Sequence, residues 1–122
     1  MILLWLSALL ADPASLAGFY RSSTPEVGAA IELDSDGTFL YALDYGAVSE
    51  SAEGRWTVEG NQVLITATKA EGAWKGARLD RTPLTIDGNA LVLQRYDRAI
   101  RFVAEGDLAP PPNRNTKLDK KD

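Results

Sequence analysis

Apolar and polar side chains alternate along most of this chain. A period of two is the pattern of a strand with one buried and one wet face. Val27, Ala29, Ile31 and Leu33 share one face, with Gly28, Ala30 and Glu32 opposite. Phe39, Tyr41, Leu43 and Tyr45 share another, against Thr38, Leu40, Ala42 and Asp44. Gly54, Trp56 and Val58, then Val63, Ile65 and Ala67, continue the pattern. Leu84 and Ile86 face Leu91 and Leu93 across a turn, and Ile100, Phe102 and Ala104 form the last inward row. Turn residues sit where these runs stop: Asp34-Ser35-Asp36-Gly37, Glu59-Gly60-Asn61, Asp87-Gly88 and Tyr96-Asp97. Asp87-Gly88 has the strongest signal, since a type I′ turn requires positive φ at both central residues. Ala70–Gly76 reads as a longer loop carrying Trp74, and Gly46 after Tyr45 reads as a bulge or close backbone approach. The spacing predicts about eight short strands, hence an all-β antiparallel barrel or sandwich over residues 16–107. Residues 108–122 open with Ala109-Pro110-Pro111-Pro112 and stay polar, so a disordered tail is expected there.

The chain of 122 residues has neither cysteine nor histidine. This excludes disulfides, thiolate nucleophiles, cysteine-held metals and histidine-based triads or zinc sites. No cofactor or metal is expected, and an enzyme is the weakest reading. Residues 12–54 carry a single base, Arg21, against eight acids, a net −7, while the segment from Leu108 is net +2. Nucleic-acid binders show a basic stripe, so no nucleic-acid partner is expected. Arg95, Arg98 and Arg101 read as solvated strand ends, and Glu50 and Glu53 as a solvated connection. Nothing in the spacing of Asp44, Glu50 and Glu53 fixes a carboxylate-pair separation. Glu32, Asp34 and Asp36 resemble part of a calcium loop, but its twelfth position from Asp34 falls on Tyr45, so an Asp-rich turn is the better account.

Several segments together are similar to a known group. They are Leu16-Ala17-Gly18-Phe19-Tyr20, Glu26-Val27-Gly28, Asp36-Gly37-Thr38-Phe39-Leu40-Tyr41, Tyr45-Gly46-Ala47, Gly54-Arg55-Trp56 and Gly60-x-x-Val63-x-Ile65. They resemble small uncharacterised exported bacterial proteins and, more broadly, lipocalin-like (calycin-type) β-barrels. The resemblance covers residues 16–65; the later T-D-Y-type motif of lipocalins is absent. It implies that Tyr20, in Gly18-x-Tyr20, plugs one end of a barrel. The aromatic row Tyr20, Phe39, Tyr41, Tyr45 and Trp56 either packs the core or lines a small ligand-binding pocket with its hydroxyls as polar contacts. The functional expectation is a non-enzymatic exported β-domain that binds a small apolar or amphipathic ligand. The alternative is a structural or protein-interaction module of the cell envelope, recognised through a sheet edge or the acidic first half.

Ile2–Ala11 is an apolar run interrupted only by Ser7, with small residues after it. As a helix it spans about 15 Å, half the hydrocarbon core of a bilayer, so no transmembrane span is expected. Its length suits the hydrophobic region of a secretory signal, although no Lys or Arg precedes it. Residues 1–11 are read as a signal segment, with cleavage as late as Ala17, placing the mature protein in the periplasm or outside the cell. Mass spectrometry of the protein from its native host should therefore find residues 1–11 missing; a soluble cytosolic form retaining Met1 would refute the export reading.

Overall fold

A computed structural model of the chain describes residues 13–72 and 78–105. A single-turn helix, α1 (Pro13–Leu16), leads into eight strands: β1 (Gly18–Ser22), β2 (Gly28–Leu33), β3 (Thr38–Tyr45), β4 (Val48–Glu59), β5 (Gln62–Gly72), β6 (Thr82–Asp87), β7 (Ala90–Arg95) and β8 (Arg98–Ala104). Each strand pairs antiparallel with the next, and β8 returns to β1, closing the barrel. A closed eight-stranded antiparallel barrel is compatible with the lipocalin-like architecture. Among the described residues no helix is long and apolar enough to cross a membrane. The expected signal segment, the Trp74 loop tip and the tail fall outside the described residues.

The alternation read from the sequence is the alternation of the wall. Ile31, Leu33, Phe39, Leu43, Val63, Ile65, Leu84, Leu91, Leu93, Ile100 and Phe102 point inward and are almost fully buried. An eight-stranded barrel encloses a space just wide enough for such side chains to fill. At one end, here the base, lie α1 and the turns at 34–37, 60–61 and 88–89. The other end, the mouth, carries the turns at 46–47 and 96–97. At the base the Tyr20 hydroxyl donates to the Leu16 carbonyl at 2.7 Å. The Tyr20 ring is buried and its hydroxyl satisfied. Trp56 also belongs to the base: its indole Nε1 donates to the Asp34 carbonyl at 2.9 Å, and its backbone N–H to that of Gly37.

Three local expectations are corrected. The β4 strand begins at Val48 rather than near Gly54, and β5 runs on to Gly72, so residues 48–53 and 68–72 are a paired ribbon instead of connections. The bulge sits at Glu53/Gly54, not at Gly46, which occupies a two-residue turn. At Gly54 the two backbones are in contact: a Cβ there would lie 2.0 Å from the Thr66 carbonyl oxygen. Third, the turn with positive φ at both central residues is Tyr96-Asp97 (53° and 60°), whereas the 88–89 turn has it at Gly88 alone. A positive φ at the first position only is the II′ pattern.

Trp56 is 6% exposed at the base of the core. Trp56→Ala should cost about 3–5 kcal/mol in urea unfolding, as large aromatic truncations in cores do. Trp56→Phe, which keeps most of the ring but not the bond to Asp34, should cost less. A loss below about 1 kcal/mol for the alanine variant would contradict the packing described, given that surface substitutions fall within about 0.5 kcal/mol.

Candidate functional site

Alternation places the even-numbered residues of β4 inside the barrel, and one of them is Glu50. Its side chain has no exposed surface, and that of its partner, Arg95 on β7, is 7% exposed. Arg95 Nε and Nη2 both donate to the carboxylate, at 2.7 and 3.2 Å. The Tyr41 hydroxyl donates to Oε2 at 2.6 Å and the Tyr96 hydroxyl to Oε1 at 2.5 Å. A buried carboxylate is costly unless paired and hydrogen-bonded. Here both oxygens are engaged, and among the described residues no buried side-chain nitrogen or oxygen lacks a partner. Burial alone would raise the Glu50 pKa, but the bonds from Arg95, Tyr41 and Tyr96, with the Arg95 charge, outweigh it and hold the carboxyl below its ordinary range. Burial, then the hydrogen bond to Glu50, pushes the Tyr41 phenol far above its usual value; the same two causes push Tyr96 up to about 12. The cluster is therefore an ionised carboxylate held by a cation and two neutral phenols. It offers no general base poised near neutral pH.

The Tyr96-Asp97 turn belongs to this cluster. The other two-residue hairpin turns begin with Gly46, Gly60 and Gly88. A non-glycine residue in the left-handed region costs on the order of 1 kcal/mol or more. Tyr96 is held there by its bond to Glu50 and by the Arg95 guanidinium, 5.3 Å from its ring centroid. A second tie crosses the mouth beside the first. Arg98 Nη1 on β8 donates to the Tyr45 hydroxyl on β3 at 3.1 Å and stacks over that ring at 5.2 Å. The strands so linked, β4 with β7 and β3 with β8, are not sheet neighbours.

The five aromatic residues expected to line one pocket are thus divided. Tyr41 and Tyr45 take part in the two ties at the mouth, Tyr20 and Trp56 lie at the base, and Phe39 is core between the strands. Glu50 and Arg95, read as a connection and a solvated strand end, are instead buried partners; this corrects both readings. Their signal was phase. Glu50 is in step with Ala52, Gly54 and Trp56, and Arg95 with Leu91 and Leu93. Glu53 points out from the opposite face of β4, so it cannot converge with Glu50 as a carboxylate pair. The Asp-rich segment is a turn: Asp36 Oδ1 accepts from the Thr38 backbone N–H and hydroxyl, and Gly37 N–H donates to the Asp34 carbonyl.

Outside the barrel, Phe19 (40% exposed) and Leu40 (49%) are the exposed large hydrophobic residues of the described wall. They share a row with Glu32 between them, and the adjoining row sets Ala30 beside Ala42. The small alanines leave a crevice of about 180 Å³ between the larger side chains. Glu53 follows Leu40 in the row, and the neighbouring Asp34, by hydrogen bond and then by charge, holds the Glu32 carboxyl above the usual carboxylate range. The crevice is apolar in its floor, with the Glu32 carboxyl at its rim; Glu53 lies beyond Leu40 and stands opposite Lys69. Comparison with protein-family models and with curated proteins finds no match to this chain.

A carboxylate whose pKa is lower folded than unfolded stabilises the fold above its unfolded pKa, near 4.3 for glutamate, and loses that contribution as pH falls through the folded value. The wild-type barrel should accordingly lose stability in acid below about pH 4 in part through Glu50. Glu50→Gln removes the charge that balances the buried Arg95 guanidinium and should cost about 3–5 kcal/mol at pH 7. That variant should lose less stability between pH 7 and pH 3 than wild type. Adding Arg95→Met should restore part of the loss. Denaturant melts across pH check all three, and equal acid sensitivity in wild type and Glu50→Gln would refute the assignment.

Proposed function

We propose that this protein is a non-enzymatic, exported β-barrel that serves as an interaction module of the cell envelope. Its recognition surface is the outer face of β1, β2 and β3, and it takes a short segment of a partner bearing an apolar side chain next to lysine or arginine. The supporting observation is the crevice between Phe19 and Leu40, floored by Ala30 and Ala42 and rimmed by Glu32. Large inward residues occupy the barrel, so the apolar surface left for binding lies outside it. An apolar anchor in a pocket with a charged rim is how small interfaces combine affinity with selectivity. A lysine beside the anchor would relieve the repulsion between Glu32 and Asp34. Export accords with the apolar run at residues 2–11 and with the resemblance to exported bacterial proteins. Cleavage after Ala11 retains Leu16, whose carbonyl receives the Tyr20 hydroxyl, while cleavage after Ala17 removes it.

A second reading, capture of a small amphipathic ligand, draws support from the mouth. There Tyr45 and Arg98 are only partly buried and present a phenol and a cation beside the buried Glu50–Arg95 pair.

Two titrations separate these readings. A synthetic Lys-Leu-Lys-Lys peptide should bind saturably, weaken with added salt, and lose binding in Phe19→Thr and Leu40→Thr. Both substitutions keep strand propensity, so the thermal melt should stay close to wild type. A Glu-Leu-Glu-Glu peptide should not bind. Saturable binding of fatty acids or isoprenoids at tens of micromolar, without peptide binding, would overturn the interaction module in favour of the ligand carrier.

A further inference from the structure

The wall is not closed along the whole of β5. Strand β6 accompanies it from Gln62 to Ile65, and at Ala67 the N–H donates to the Leu79 carbonyl at 2.9 Å. Thr68 is the extra residue of the bulge. From Lys69 to Gly72, among the described residues, β5 pairs with β4 alone, and all four of these residues are exposed. The ladder determines which main-chain groups face out there. Trp56 N–H donates to the Gly37 carbonyl, so even-numbered residues of β4 turn their main-chain groups toward β3. Ala52 is one of them, and its partner on β5 is Ala70. Ala70 therefore turns its own N–H and C=O away from β4, into the open edge. Lys69 and Glu71 flank it on the outer face, where Lys69 stands opposite Glu53 and Glu71 opposite Ser51.

From this edge we infer that two copies of the chain associate by antiparallel pairing of β5 with β5, about a twofold axis at Ala70. Each Ala70 N–H then donates to the other copy's Ala70 carbonyl, the reciprocal pair of an antiparallel ladder. The sequence around the axis is its own complement: Lys69 of each copy falls opposite Glu71 of the other. Opposite charges directly across a ladder stabilise it, and like charges oppose it. A parallel alignment in the same register would set lysine against lysine and glutamate against glutamate. The occupant is a second copy because one patch supplies both halves of every pair, as a twofold interface requires. The register runs from Thr68 opposite Gly72 and stops short of Ala67, whose N–H is already bound to Leu79. Two main-chain bonds and two exposed ion pairs make a small contact, so the association is weak and weakens further with salt. The inference is independent of the crevice between Phe19 and Leu40, which lies on other strands.

Sedimentation velocity of the full-length protein from about 10 µM to about 1 mM covers the range of such weak contacts. The wild-type sedimentation coefficient should rise with concentration, and less steeply in high salt. Lys69→Glu and Glu71→Lys should each stay monomeric, since each sets like charges across the axis. The chain carrying both substitutions should associate as wild type does, and so should an equimolar mixture of the two single variants. Thermal melts of all variants should stay close to wild type, because both side chains are exposed. Without any substitution, the Ala70 amide should exchange more slowly as wild-type concentration rises, while exchange in β2 stays unchanged. A wild type that stays monomeric throughout overturns the inference. So does association that survives either single substitution, and so does a loss that exchanging the two charges fails to restore. Ala70 exchange that is independent of concentration overturns it as well.

Discussion

Pairing between the first and last strands converts a meander of hairpins into a closed wall, and the rest of the molecule depends on that seam. It is short: Tyr20 opposite Ala104, Arg21 opposite Val103 and Ser22 opposite Phe102. Two further bonds extend it, from Ser23 N–H to the Arg101 carbonyl and from Arg101 N–H to the Thr24 hydroxyl, each 2.8 Å. Without it β1 and β8 would both present open edges, the usual route to pairing with other chains. The chain has no cysteine with which to fasten the seam covalently. Hydrogen bonds and the inward ring of Tyr20, anchored on α1, perform that task.

Closure has consequences for where chemistry can reside. A barrel of eight strands has about as much interior as its own side chains need, and branched and aromatic residues occupy it here. The polar groups that enter the wall are matched to one another. Glu50 with Arg95 and Tyr96, and Tyr45 with Arg98, tie strands that the sheet does not join. Such a cluster is costly to desolvate and gives less net stability than its short distances suggest. Its effect is to hold the mouth in one arrangement, including a turn whose two central residues lack glycine. The outer wall of β1–β3 carries the apolar surface left over, and it is the half of the sequence richest in acids.

Fold class, strand number and most of the inward rows were determined by the sequence alone, because alternation is a local property and a strand displays it whatever its neighbours do. Phe39, Ile65 and Phe102 declare their face within five residues of themselves. The Asp-rich turn was legible for the same reason, since the hydrogen bonds among its own residues run at most four positions apart. Charged residues at strand ends were not legible in this way. Glu50 and Arg95 stand 45 positions apart, and each alone is a group that belongs in water. Only barrel closure brings β4 and β7 to face one another across the mouth, and only then does burying both become tolerable. The crevice has the same origin: Phe19, Ala30 and Leu40 are unremarkable within their own strands, and strand register alone makes them neighbours. Local pattern thus determined what each strand is, while the long-range pairing of strands decided which charges could be buried and which apolar groups were left outside.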